Sequence, residues 1–415
     1  MRVLISAYAC ESGKGSEPGV GWNWVRQISR QHEVWVITRA ANRKAIEGAL
    51  REEVLPNAHW VYFDLPRWAR FWKNGGRGVH AYYYLWQAGA YFTARDLHRR
   101  IGFDLAHHVT FVNYWMPSFL ALLPVPFIWG PVGGGESSPR SFLSSFSLRG
   151  QIYERVRDLA RAAAHLDPFT RLTARRATLA FSTARDTERC LRSLGCSNAI
   201  VYSEAGLTGE EIRRLGALPL RRSAPFRVLS IGRLIHLKGF EFGLRAFAQF
   251  QRECPASEYW LIGDGPERRR LERLARKLGV AWKVTFWGSQ PRSVVLEKLA
   301  ACDTLLHPSL HDSGGWVCLE AMAAGRPVVC LDLGGPAIQV TEETGIRVPA
   351  TTPGQVVGDL ASALMKLGAD PTLRAQLGGE GRHRVEALFH WRKKADFMMQ
   401  AYRKVAPQEE SRQAC

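Results

Sequence analysis

The stretch Phe226-Arg-Val-Leu-Ser-Ile-Gly232-Arg233-Leu-Ile-His-Leu-Lys238-Gly239-Phe240 reads as a short apolar strand, a glycine turn, a cationic loop and the start of a helix. The same unit recurs along the chain. In the first half, runs rich in β-branched residues fall at 3–7, 34–38, 60–63, 105–109, 127–129 and 179–182. In the second half they fall at 227–231, 259–262, 284–287, 304–307, 327–331 and 345–348. Segments with helical spacing separate them. Strands alternating with helices build parallel sheets from βαβ units, so the expected class is a doubly wound α/β fold. Twelve strands exceed one such sheet. Glycines and prolines punctuate 206–225 and mark a boundary. The expectation is therefore a domain over 1–210, a second over 222–380, and a C-terminal helix over 381–415 that crosses back to the first.

The chain has 415 residues, a length that suits two cores, with 46% hydrophobic and 23% charged residues. Its net charge of +18 predicts an acidic partner: nucleic acid, an anionic membrane or a phosphorylated substrate. The eight cysteines (10, 190, 196, 254, 302, 318, 330 and 415) form no C-x-x-C pair, and several sit in apolar runs. That pattern suits free thiols in a reducing compartment. Val3–Ala7 is too short for a signal peptide, and no run approaches 18 apolar residues. A cytoplasmic protein is expected, with peripheral association at the inner face of the plasma membrane left open.

Three segments at strand ends carry the chemistry. Gly232 allows the chain to leave its strand sharply, and Arg233 and Lys238 then share one short loop. A guanidinium fork and an ammonium point charge together suit a diphosphate, although a basic surface loop has the same composition. Gly263-Asp264-Gly265-Pro266-Glu267 is a glycine turn that admits close backbone approach to a nucleotide or is turn chemistry alone. In His307-Pro-Ser-Leu-His-Asp312-Ser-Gly314-Gly315-Trp-Val-Cys-Leu-Glu320, two carboxylates bracket a Gly-Gly turn that opens a helix. Helix N-terminal amides beside carboxylates suit a ligand bearing phosphates and hydroxyls.

The order G-R-x4-K-G, G-D-G-P-E, D-x7-E and A-M-A-A-G-x-P-V-V resembles the retaining family-4 glycosyltransferases (glycosyl transferases group 1) of the GT-B fold. It is dense over 226–349. The resemblance implies two Rossmann-like doubly wound domains facing a central cleft. It implies that Arg233 and Lys238 bind a donor diphosphate, that Glu320 binds the ribose, and that Trp287 lies where the base is held, largely by backbone. The first acid of the motif, near the donor sugar in that family, is here Asp312, one methylene shorter than the usual Glu. The resemblance further implies transfer with retention to a glycan or lipid-linked acceptor in cell-surface polysaccharide or glycolipid synthesis. The donor would be a UDP or GDP sugar. No cofactor is expected. No metal is expected either, because protein cations can neutralise the leaving group and no Asp-x-Asp pair stands at a strand end.

In the first domain, Glu11-Ser-Gly-Lys-Gly-Ser-Glu17-Pro-Gly19-Val-Gly21 follows the first strand. It resembles the family's phosphate-facing glycine loop, with Gly19 and Gly21 as the best matches. His107 and His108 end a strand and point to opposite faces. The resemblance favours one of them as a sugar-contacting, catalytic imidazole, and His108 is the preferred candidate. Leu65-Pro-Arg-Trp68-Ala-Arg-Phe71-Trp72-Lys73, between Asp64 and Gly75-Gly76, reads as a short helix with an aromatic and a basic face, suited to an anionic membrane surface. Rival readings are an epimerase or phosphorylase on the same fold, or a basic nucleic-acid-binding protein. No recognised nucleic-acid motif supports the last.

Overall fold

The computed structural model describes residues 1–71, 78–220 and 224–406, and it divides into two compact units. The first comprises 1–135, 157–204 and 391–415, and the second 136–156 and 205–390. Each is built on one all-parallel sheet. The first sheet contains β1 (Arg2–Ala7), β2 (Glu33–Thr38), β3 (Ala58–Tyr62), β4 (Leu105–Thr110), β5 (Phe127–Val132), β6 (Leu179–Ser182) and β7 (Ala199–Val201), in the order β3-β2-β1-β4-β5-β6-β7. The second contains β8 (Phe226–Ile231), β9 (Ser257–Ile262), β10 (Val284–Gly288), β11 (Thr304–His307), β12 (Val328–Leu331) and β13 (Gly345–Val348), in the order β10-β9-β8-β11-β12-β13. Both are doubly wound Rossmann-like sheets. Their strands are continuous apolar runs because helices cover both faces. In β1 every residue after Arg2 is buried, and β4, β5, β11 and β12 are buried throughout.

All twelve expected strands form, and β7 is an addition: three residues with a polar approach give no alternation to read. Gly209–Gly216, inside the punctuated boundary, is a helix closed by a capping box between Thr208 and Glu211. The C-terminal pattern is not one helix. A helix Pro371–Arg384 passes through a π-helical turn Val385–Phe389, breaks at the extended His390, and resumes as Trp391–Val405. The described part of 65–73 does not form the expected α-helix. Among the described residues only a 3-10 turn, Arg67–Ala69, forms there, and Trp72, Lys73, Gly75 and Gly76 lie outside the described residues.

The helix Trp391–Val405 is an integral part of the first unit. Trp391 meets Trp24 edge to face at 5.3 Å. The Lys394 ammonium donates to the Ser203 carbonyl (2.5 Å) and lies 4.0 Å over the Tyr202 ring. Burial pushes that ammonium down to about 7, with Glu204 opposing. Tyr402 OH is 2.6 Å from His107 Nδ1, and His107 Nε2 is 2.7 Å from the Gly130 carbonyl. His107 is thus consumed by holding helix to sheet. In the second unit Phe142 packs edge-on against Phe242 at 5.3 Å, which draws 136–156 into that core.

Burial lowers His107 to about 4 and His108 to about 3, so both are neutral in the folded protein at pH 7. An unfolded histidine binds its proton near 6.5, so their contribution to stability is complete above that pH and is lost as pH falls below it. The loss reaches about 2 kcal/mol per imidazole between pH 7 and pH 5. In urea unfolding, the parent should lose more stability between pH 7 and pH 5 than His107→Gln does. An equal decline in the variant would mean that His107 is not a buried neutral group.

Candidate active site

In a doubly wound sheet, ligands bind beyond the strand ends where the winding reverses. In the second unit that point lies between β8 and β11. The loops leaving these strands are Gly232–Gly239 and Pro308–Gly315, and they are knitted together. Leu310 N–H donates to the Leu237 carbonyl (2.9 Å) and Gly335 N–H to the Asp312 carbonyl (2.8 Å). A Cβ on Gly239 would lie 2.0 Å from the Pro308 oxygen, and one on Gly335 would lie 2.0 Å from the Ser313 oxygen. Gly315 opens the helix Trp316–Ala323 at φ +58, and Gly314 gives its carbonyl to Gln339. These glycines let three loops close on one another without side chains between them.

At the centre stands Asp312. Its Oδ2 accepts from Lys238 Nζ (2.5 Å) and from His307 Nε2 (3.0 Å), and its Oδ1 accepts from Gly315 N–H (3.1 Å). Burial alone would raise this carboxyl, but the His307 hydrogen bond and the Lys238 charge outweigh it and hold the group well below the carboxylate range. Asp312 is therefore ionised, pins Lys238, and holds the Gly315 amide just ahead of the helix that carries Glu320. Arg233 is exposed on the same loop as Lys238 and has no ion pair among the described residues. One cation is thus preorganised, and the other is free to turn to an incoming anion.

Glu320 is buried on the helix Trp316–Ala323, where Arg292 Nη1 meets its Oε1 at 2.7 Å. Burial raises this carboxyl, with Arg292 opposing. Burial would lower the Arg292 guanidinium, but Glu320 outweighs it and holds it above its ordinary value. The motif reading omitted Arg292. It lies 28 residues from Glu320 in sequence at the start of another helix, Arg292–Ala300, where no local spacing relates the two.

The remaining predicted residues are spread over both units. Asp264 is part of a turn: its Oδ1 accepts from Gly265 N–H (2.7 Å), and its other oxygen is 3.6 Å from Arg268. Close backbone approaches fall at both Gly263 and Gly265, whose Cβ atoms would lie 2.0 Å from the Gly232 oxygen and 2.4 Å from the Leu234 oxygen. The Trp287 ring faces Trp260 (5.9 Å) and Lys298 (4.0 Å), leaving its backbone carbonyl to accept from Gln290 (2.5 Å). In the first unit Gly19 and Gly21 sit within the helix Ser16–Ile28 and not in a loop. A Cβ on them would strike the Lys14 and Ala9 carbonyls at 1.9 and 2.2 Å, so they serve close packing of the preceding loop on the helix. His108 is buried, with Nε2 2.8 Å from Tyr83 OH and 3.3 Å from Gln87. Nearby Glu17 was not singled out, yet burial pushes its carboxyl up to about 7 against a hydrogen bond from the Phe111 backbone.

These two sheets, with their switch-point loops, define the GT-B fold. Sucrose-phosphate synthase of Thermosynechococcus elongatus superposes with a TM-score of 0.61 over 97% of this chain and 98% of its own, at 23% identity. Anabaena HepE, solved with UDP and glucose, gives 0.60 over 97% and 100%, at 18% identity. Residues 219–384 match the family described as Glycosyl transferases group 1. The lipopolysaccharide core biosynthesis glycosyltransferase LpsD of Rhizobium meliloti (strain 1021) is 35% identical over 164 residues, 40% of this chain and 45% of LpsD. The matched stretch therefore spans less than half of that relative.

Asp312→Asn keeps an oxygen for the Gly315 amide but removes the charge that holds Lys238 and His307. Hydrogen bonds to charged groups contribute about 1.5–3 kcal/mol each, so the variant should unfold at clearly lower urea than the parent at pH 7. An unchanged midpoint would show that the carboxylate is not the hub of these loops.

Proposed function

We propose that this protein transfers a sugar from a nucleoside-diphosphate sugar to a glycan or lipid-linked acceptor, with retention of anomeric configuration and without a metal. The observation that carries the reading is the pairing of a pinned Lys238 with a free Arg233 at the switch point of the second sheet. Cleaving the sugar–phosphate bond puts charge on the departing diphosphate. Lys238, already held there, and Arg233, which can turn to it, stabilise that charge more in the transition state than in the ground state. They take the part a divalent cation plays elsewhere, and on this the proposal of metal independence rests.

Glu320 is suited to accept from a ribose hydroxyl. Its Oε1 is taken by Arg292, which leaves Oε2 for the ligand and opposes the rise that burial imposes on the carboxyl. Asp312 retains one lone pair on Oδ1 for a sugar hydroxyl. Its first task on this reading is to aim Lys238. The solved HepE complex, which holds UDP and glucose, supports a nucleotide-sugar donor, and LpsD, named for lipopolysaccharide core synthesis, supports a cell-surface glycan or glycolipid acceptor.

A thermal-shift comparison of UDP, GDP and ADP should single out one nucleotide, which at a hundred times its dissociation constant adds about 2.7 kcal/mol of stability. Lys238→Ala and Arg233→Ala should each lower turnover of the matching donor about a hundredfold or more, with folding intact. Activity should survive EDTA, and the product should keep the donor's anomeric configuration by proton NMR. Full activity in both variants, or strict dependence on Mg²⁺, would overturn the assignment.

A further inference from the structure

Arg326 is buried in the second unit, only 1% exposed, and forms no ion pair among the described residues. Its partners are carbonyls instead. Nε donates to Leu299 (3.0 Å), Nη1 to Ala324, and Nη2 to both Ala300 and Pro219. These acceptors stand at the ends of three different helices. Leu299 and Ala300 close the helix Arg292–Ala300, Ala324 follows Trp316–Ala323, and Pro219 lies three residues past Gly209–Gly216. Carbonyls at a helix C-terminus lack intrahelical donors, and the negative pole of the helix favours a cation there. Three such ends converging on one guanidinium compensate its charge without an acid. The same three helices pack through Leu215, Leu299 and Met322 in one apolar cluster.

Those helices carry the charged groups around the Glu320 carboxylate. Glu320 lies on Trp316–Ala323, Arg292 opens Arg292–Ala300 and meets it at 2.7 Å, and Glu211 lies on Gly209–Gly216. Beyond burial and the mutual pairing of Glu320 and Arg292, the Glu211 charge raises both groups. Apolar packing is non-directional and by itself sets no sharp axial position for a helix. A planar guanidinium fork does, because its donors point in fixed directions. From Leu299 back to Arg292 the helix runs about 10 Å, so an axial shift at the clamped end is carried to the guanidinium that touches Glu320. We infer that Arg326 is a positioning residue: by fixing three helix ends it holds Arg292 on Glu320 and sets that carboxylate for a ribose hydroxyl. This role presupposes Glu320 as the ribose partner, as proposed above, and adds a buried group that shapes the pocket without touching the ligand.

Titration calorimetry with three probes tests this: the strongest binder among UDP, GDP and ADP, its 2′,3′-dideoxy analogue, and inorganic pyrophosphate. The parent should bind the dideoxy nucleotide about tenfold more weakly than the ribonucleotide, as expected for loss of a hydrogen bond to a charged acceptor. Arg326→Met should bind the ribonucleotide about as weakly as the parent binds the dideoxy analogue, so that the two nucleotides become nearly equal. Pyrophosphate, which needs the phosphate loop and no ribose contact, should bind as it does to the parent. Arg326→Lys keeps the buried charge but not the planar fork; it is the second variant should the Met variant not fold, and its penalty for the missing hydroxyls should be intermediate. A folded variant that keeps the parent's full penalty, or that weakens pyrophosphate as much as the ribonucleotide, overturns the positioning role. Absence of that penalty in the parent overturns Glu320 as the ribose partner, and the role of Arg326 with it.

Discussion

One carboxylate organises the second unit. Asp312 leaves water to take donors from three parts of the chain: Lys238 after β8, His307 at the end of β11, and the Gly315 amide at the start of the next helix. Its desolvation would be prohibitive without them, and without it two cationic or polar groups would face each other unopposed. The surrounding glycines follow from this constraint. Loops that must bring a lysine, a histidine and a helix N-terminus onto one small group cannot carry side chains where their backbones touch, as at Gly239 and Gly335. Loops assembled this way have the Lys238 ammonium in place before any ligand arrives, so that charge needs no reorganisation to act.

The first sheet reverses at the equivalent point, between β1 and β4, but spends its polar residues differently. His107, His108, Lys394 and Tyr402 are buried, and burial moves each towards its neutral form. They fasten helices to the sheet, and His107 is spent on the C-terminal helix. Glu17 follows the same trend, its carboxyl pushed up to about 7 by burial beside the strained Phe111 (φ +59).

Much of this was legible in the residues. The strands are buried on both faces, so each is an unbroken apolar run, and the glycine-rich exits from β8, β9 and β11 stand out against them. Lys238, Asp312 and Glu320 could be found because each lies a short, fixed distance from such an exit. What escaped notice is what depends on distance in space. Arg292 reaches Glu320 from another helix, and Arg326 lies buried among the Leu299, Ala300, Ala324 and Pro219 carbonyls, which nothing in its own A-A-G-R-P context reveals. The helix Gly209–Gly216 was hidden because its terminal glycines resemble linker composition, although Thr208-x-x-Glu211 is a capping-box signature. Gly19 and Gly21 show the converse error. Glycines spaced like a loop were needed for a loop packing on a helix.

Lys238 and Arg233 stand at the centre of this account, one held and one waiting. A crystal structure of the protein with its matching nucleoside diphosphate tests that directly. The terminal phosphate should lie within hydrogen-bonding distance of both Lys238 Nζ and the Arg233 guanidinium, with a ribose hydroxyl on Glu320 and Arg292 still against that carboxylate. A nucleotide bound elsewhere, with Lys238 still engaged only by Asp312 and no phosphate near Arg233, would contradict it.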